Sequence, residues 1–206
     1  MFDQLDDALR ELLLRELPVR NNEIDISFDA PRRDWSARLN RPTLNLFLYD
    51  LRENKQMRQL GNPWEVTRND DGSITERRRA RHVDMFYIIS AWAMHSEDEH
   101  RLLGRTLMAL FRNPILPDDL LPEIFQDESM RANIEVAQSN SLERPTELWG
   151  VMGNELRPVI VCQVGIAMNP YEPVTNLPLV RSIDLRSQLI DKTVTTRLKT
   201  CQVSET

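Results

Sequence analysis

At 206 residues, with 41% hydrophobic and 28% charged side chains, the chain has the make-up of one globular domain, or of one domain with an appendage. Its net charge of −6 opposes the broad basic field that general nucleic-acid binding uses, and six glycines leave little for glycine-rich phosphate loops. No apolar run approaches the ~20 residues that span a bilayer, and the opening MFDQLDDALREL has neither the basic nor the apolar region of a secretory signal. The expectation is synthesis and folding in the cytosol, with no membrane partner.

In chain order, Phe2–Leu17 is predicted to be an amphipathic helix. Phe2, Leu5, Leu9, Leu12, Leu13 and Leu17 recur at helical spacing, acidic residues come first and arginines later, and Pro18 stops it. Ile24–Phe28 alternates as a short strand, and 30–41 reads as a loop carrying Pro and Arg. Thr43–Leu51 is a strand apolar on both faces: Leu44, Leu46 and Leu48 lie on one, Phe47, Tyr49 and Leu51 on the other, before an acidic break and a charged exit. After a turn at Gly61-Asn62-Pro63, Trp64–Arg68 and Ile74–Arg79 flank a turn at Asp71-Gly72 and form a projecting hairpin. Val83–Met94 is a second strand apolar on both faces. Ser96 is expected to cap a helix with a buried stripe of Leu102, Leu103, Leu107, Leu110 and Phe111, ended by Asn113-Pro114. A short helix at Pro117, a strand over Ala132–Ala137, and a helix over Thr146–Met152 stopped by Gly153 follow. The third long apolar strand is Leu156–Met168, with Pro158 near its start. The order of elements indicates an α+β domain, a mixed sheet flanked by a few helices, over residues 1–168. Residues 169–206 are polar and Pro-containing, with weak apolar alternation (Val180, Ile183, Leu185), and read as an arm without a core.

The chemical inventory is nearly empty. His95 and His100 bracket acidic residues, but their i, i+5 spacing is wrong for two ligands on one helix face; a metal-dependent hydrolase built on them is the remote alternative. Cys162 sits mid-strand as an inert core thiol, and a disulfide to Cys201 is disfavoured in a cytosolic protein. There is no nucleophile elbow or nucleotide loop, and no cofactor is implied. The sharpest charge is the run Arg77, Arg78, Arg79 and Arg81. It reads either as a solvated hairpin arm or as a subunit or partner interface, for which the planar guanidinium is suited. Residues alone thus favour an assembly protein over an enzyme.

Several segments carry a resemblance in a fixed order: the opening helix, Pro42–Asp50 with Glu53-Asn54 and Arg58, and Val83–Trp92 leading to Glu99-His100-Arg101-Leu102-Leu103-Gly104. Glu147-Leu148-Trp149 before Arg157-Pro158 completes the set. Over about residues 2–168 the chain resembles the tail-terminator, or cap, proteins of phage-tail-like contractile injection systems. The resemblance implies a terminator-like α+β fold assembled as a homohexameric ring at the baseplate-distal end of a contractile tail. Such a ring ends polymerisation of inner tube and sheath and joins the two layers. A tail-completion adaptor or an assembly chaperone of the same machine is the alternative. The resemblance carries over no catalytic residue, and the Arg77–Arg81 run departs from the family's usual proline-rich or polar approach to the next strand.

Overall fold

The computed structural model describes residues 2–17, 24–59, 63–69, 73–125, 131–138, 145–153 and 156–177. The expected helix stop at Pro18, most of the turn at 61–63, the hairpin turn at Asp71-Gly72, Cys201 and the arm beyond 177 lie outside the described residues. The chain forms two compact units, one from residues 1–63 and 79–171, the other from 64–78 and the chain from 172 onward.

The first unit is built on a mixed five-stranded sheet in the order β1 (Asp25–Ser27), β2 (Thr43–Glu53), β5 (Arg81–Trp92), β7 (Ile160–Met168), β6 (Asn133–Val136). Only the β1–β2 pair is parallel. Each long strand is apolar on both sides, as the sequence indicates, because both faces of the sheet's middle are covered. Register places Leu44, Leu46 and Leu48 of β2 beside Ala91, Ile89 and Tyr87 of β5, and Tyr87 beside Cys162 of β7. On this face lie helix α1 (Phe2–Glu16), through Leu5, Leu9, Leu12 and Leu13, and helix α4 (Ser96–Arg112), through Leu102, Leu103 and Leu110. Arg112 pairs with Glu16 at 3.1 Å, and Arg15 with Asp119 at 2.8 Å, tying the helix ends at the surface.

α1 is also pinned by one polar contact. The Tyr87 hydroxyl, buried in the core, donates to Asp6 Oδ1 at 2.8 Å. Burial raises the Asp6 carboxyl above its ordinary value, against the lowering effects of the Tyr87 hydrogen bond and of Arg10. Tyr87→Phe removes a donor to a charged acceptor and is expected to cost about 1–3 kcal/mol at pH 7. The variant's Asp6 rises further, so its folded form takes up a proton more readily than its unfolded form. The deficit should therefore shrink as pH falls towards the carboxylate range. Urea denaturation of both proteins at pH 7 and pH 5 measures this.

The opposite face carries a second core. Trp92, one residue beyond Ala91, points the other way and meets Trp35 edge-on with ring centroids 5.5 Å apart. Trp149 meets Trp92 similarly at 6.0 Å. Trp35 comes from α2 (Arg33–Ser36), a single helical turn inside the segment expected to be a loop. The burial of Trp35 fixes that turn, and the local sequence carries no helical periodicity to reveal it. Trp149 comes from α5 (Pro145–Met152), which ends at Gly153 with φ of 69°, a left-handed conformation natural to glycine. Each indole N–H is satisfied: Trp35 donates to Asp29 Oδ2, Trp92 to Ser90 Oγ and Trp149 to the Arg157 carbonyl, at 3.1, 2.9 and 3.1 Å. Beside the trio, the Glu99 carboxylate is buried and accepts from Arg157 Nη1 and from the Ala93 N–H. The Arg157 guanidinium carbon lies 4.3 Å above the Trp92 ring centre.

Other departures from the sequence reading have local causes. β2 does not break at Asp50; it continues to Glu53 across a bulge in which Tyr49 is the extra residue. The short helix α3 (Lys55–Gln59) follows, its first turn held by Asn54 Oδ1 accepting from the Met57 N–H. The N-cap of α4 is His95, which makes no side-chain cap bond, and Ser96 is the first helical residue. Phe111 is 53% exposed, and Glu99, Thr106 and Ala109 complete the buried stripe in its place. The helix expected at Pro117 is a turn followed by a 3₁₀ turn, Glu123–Phe125, which buries Phe125.

The second unit is a three-stranded antiparallel sheet in the order β3 (Trp64–Arg68), β4 (Ile74–Arg78), β8 (Val174–Leu177). The hairpin arms stand where the sequence placed them. The described start of the arm after 169 is a strand, β8, hydrogen-bonded to β4.

Candidate assembly interface

The arginine run divides between the units. Arg77 and Arg78 close β4, with Arg77 opposite Glu65 and Arg78 opposite Trp64. Strand alternation sends the two side chains to opposite faces. The Arg78 guanidinium carbon stands 4.9 Å above the Trp64 ring, a cation–π contact, and Arg77 is exposed. Arg79 and Arg81 belong to the first unit. The Arg79 N–H donates to the Pro63 carbonyl at 3.0 Å and its side chain is exposed. Arg81 is held from two sides: Nε donates to the Tyr171 hydroxyl at 3.0 Å and Nη1 to Glu53 at 2.9 Å. These partners, Tyr171 first, raise its pKa further. The structure thus assigns Arg81 a bracing contact between β5, the end of β2 and the chain after β7.

The remaining sequence candidates do not converge. His95 and His100 are both exposed, and among the described residues no group of three or more His, Cys, Asp or Glu is placed to hold a metal ion. Cys162 is buried, and burial pushes its thiol up to about 12, so the reactive thiolate does not form near neutrality. Among the described residues no helix is long and apolar enough to cross a membrane.

The surface with the character of an interface is the half of the second sheet face that the tryptophan trio does not reach. Register lines up Phe47, Ile88 and Val161 in one row, Asp50, Phe86 and Gln163 in the next, and Arg52, Asp84 and Gly165 in the third. Ile88 is sealed, whereas Phe47, Tyr49 and Phe86 are half-exposed. The Tyr49 and Phe86 rings lie 6.2 Å apart, and Arg52 stacks 5.3 Å above Phe86 while donating to Asp50 at 2.6 Å. Asn54 Nδ2 donates to Asp84 at 3.2 Å on the same rim. Burial, and next the Asp50 charge, raise the Tyr49 phenol above its ordinary value. Aromatic side chains beside an arginine, rimmed by charge, are the composition of protein–protein contact patches. The sequence marked Phe47 and Tyr49. It could not show that Phe86, on a separate strand, joins them, because the bulge at Tyr49 sets that register.

The comparisons with known proteins agree with this architecture. The chain is similar to the sheath/tube terminator of an extracellular contractile injection system, PVC, in its extended state. The TM-score is 0.64 and identity 19%, over 96% of this chain and 65% of that one. It is likewise similar to the tube-terminating cap of the anti-feeding prophage, with a TM-score of 0.63 and 20% identity over 87% of this chain and 58% of that one. The chain therefore spans less than two thirds of the length of either. A comparison with curated protein sequences gives no match. Residues 4–181 match the model of the Pvc16 N-terminal domain, and the chain belongs to that family.

Proposed function

We propose that this protein is a structural cap, the tail terminator of a contractile injection system. It forms a ring at the baseplate-distal end, stops the growth of inner tube and sheath, and joins the two layers. The observation that carries the reading is the fold match to two terminators over nearly the whole chain, together with membership of the Pvc16 N-terminal domain family. A two-faced sheet suits the role. One face closes on α1 and α4, and the other leaves Phe47, Tyr49 and Phe86 for a neighbour. A head-to-tail contact of this kind, repeated with a closing rotation, makes a ring, and six copies would match the six-fold symmetry of a contractile tail. Arg77, exposed near the end of β4 away from the hairpin turn, is a further contact for sheath or tube. In this reading the protein is not an enzyme, holds no cofactor, and is assembled into the particle in the cytosol.

Deleting the gene tests the reading. Particles from the deletion strain, measured by negative-stain electron microscopy, should show tubes with a broadened, longer length distribution and sheaths that detach or are missing. Particles of normal length with stable sheaths would overturn it.

A further inference from the structure

Layers of helix and sheet are stable when each apolar face is covered by another element. Among the described residues, two apolar faces of the first unit lack such a cover. α4 turns Leu102, Leu103, Ala109 and Leu110 to the core. At about 3.6 residues per turn, Met108 and Phe111 fall on the opposite side of that helix, and they are 56% and 53% exposed. Gly104, one turn earlier on the same side, has nothing within 4 Å of where a side chain would start, which leaves a hollow for an aromatic ring beside Met108. The other uncovered face is the half-exposed patch of Phe47, Tyr49 and Phe86, on the side of the sheet away from α4. One unit thus carries a helix face without a sheet on one side and a sheet face without a helix on the other. The charges beside the two faces are complementary. On α4, Arg101 pairs with Asp98 at 3.1 Å and Arg112 with Glu16 at 3.1 Å, whereas Arg105 is exposed and has no acidic partner among the described residues. On the patch rim, Asp50 holds Arg52, whereas the half-buried Asp84 accepts only from the neutral Asn54 amide among the described residues.

We propose that these two surfaces are each other's partners. The outer side of α4 of one copy packs on the Phe47, Tyr49 and Phe86 patch of the next, and Arg105 of the first lies against Asp84 of the second. This rests on the ring of the cap reading and names the two surfaces that build it. The first face of the same sheet already takes helices as its cover, and α4 of a neighbour supplies the layer that the second face lacks. Contacts of like with like are poorer. α4 on α4 would bring Arg105 towards its own copy and leave both aromatic patches in water, and patch on patch would set Asp84 against its own copy. Unlike faces on opposite sides of one unit make a head-to-tail contact that each copy uses twice, the kind that a closing rotation turns into a ring.

Analytical ultracentrifugation of the full chain, with variants that spoil one face at a time, is the test. Met108→Asp with Phe111→Asp spoils the α4 face, and Tyr49→Asp spoils the patch. The wild type should associate beyond dimers, and each variant alone should stay monomeric under the same conditions. Mixed in equal amounts, the two variants should form a dimer and go no further, because one intact face of each kind remains between them. In the otherwise native chain Arg105→Glu, at an exposed position, should weaken association about fivefold or more, and Arg105→Glu with Asp84→Arg should recover most of that loss. Circular dichroism of the variants checks folding, and the Arg105 series decides the matter if Tyr49→Asp disturbs β2. A monomeric wild type, a mixture that gives no dimer, or unchanged association of Arg105→Glu would overturn the proposal. So would dimers of Tyr49→Asp alone, which would assign α4 against α4 instead. A failure here leaves a cap whose copies meet elsewhere, whereas tubes of normal length in the deletion strain would remove the cap reading and leave a confirmed contact standing.

Discussion

Arg157→Ala is expected to destabilise the first unit by about 3–5 kcal/mol, because it strands the Glu99 carboxylate in a buried site. Glu99 is 8% exposed, and its Oε1 takes its charge-assisted bond from Arg157 and a second bond from the Ala93 N–H at 3.1 Å. One amide cannot replace the guanidinium, and the variant also loses the cation–π contact with Trp92. The reverse change, Glu99→Ala, should cost less. Arg157 is only half-buried, so its freed guanidinium can turn to water while its stem stays on the indole. Removing both partners should cost less than the sum of the two single changes, because each single change leaves the other partner unpaired. Guanidinium denaturation of the four proteins, arranged as a double-mutant cycle, gives the coupling. Equal costs for the two single variants would contradict the asymmetric burial on which the expectation rests.

Trp149→Ala should cost about 3–5 kcal/mol as well, by a different route. Trp149 is 1% exposed, packs edge-on against Trp92, and ties α5 to the approach of β7 through its bond to the Arg157 carbonyl. Truncation opens a cavity between α5 and the sheet, and the Arg157 carbonyl loses its donor. For a chain of this size, thermal unfolding should fall by about 6–20 °C. Trp149→Phe keeps most of the volume and loses only the N–H, so it should recover more than half of the loss. Because the Arg157 guanidinium and the Trp149 ring both pack on Trp92, this change and Arg157→Ala should not be additive.

The parts of the fold legible in the sequence are those carried by local periodicity. Runs apolar on both faces over 43–51 and 83–94, and the apolar run over 156–168, marked the three central strands. Leucines at helical spacing gave α1 and α4, and the polar arms on either side of residues 70–72 gave the hairpin. The parts that stayed hidden depend on long-range partners. Nothing within Arg33–Ser36 reads as a helix, since the turn exists to seat Trp35 on Trp92, 57 positions later in the chain. Phe111 sits at the right spacing for the buried stripe of α4 but faces outward, and the buried Glu99 stands at the other end of that stripe because Arg157, 58 positions on, neutralises it. The candidate interface shows the same division. Phe47 and Tyr49 were visible as the second face of a strand, whereas Phe86 and Arg52 join them only through the register that the bulge creates. The arginine run was legible as charge. That Arg81 is engaged by Glu53 and Tyr171 while Arg77 is exposed depends on residues distant in the chain.

The half-exposed aromatic surface of Phe47, Tyr49 and Phe86 has the make-up of a protein–protein contact face. Under the cap reading, the deciding property is position in the particle. Electron microscopy of native particles, with this chain carrying a gold-labelled affinity tag at its C-terminus, tests the central claim most directly. Label confined to the baseplate-distal end of each tube, in a ring of fixed copy number, is the expected result. Label spread along the sheath, at the baseplate, or missing from mature particles would contradict it, the last outcome pointing to an assembly chaperone.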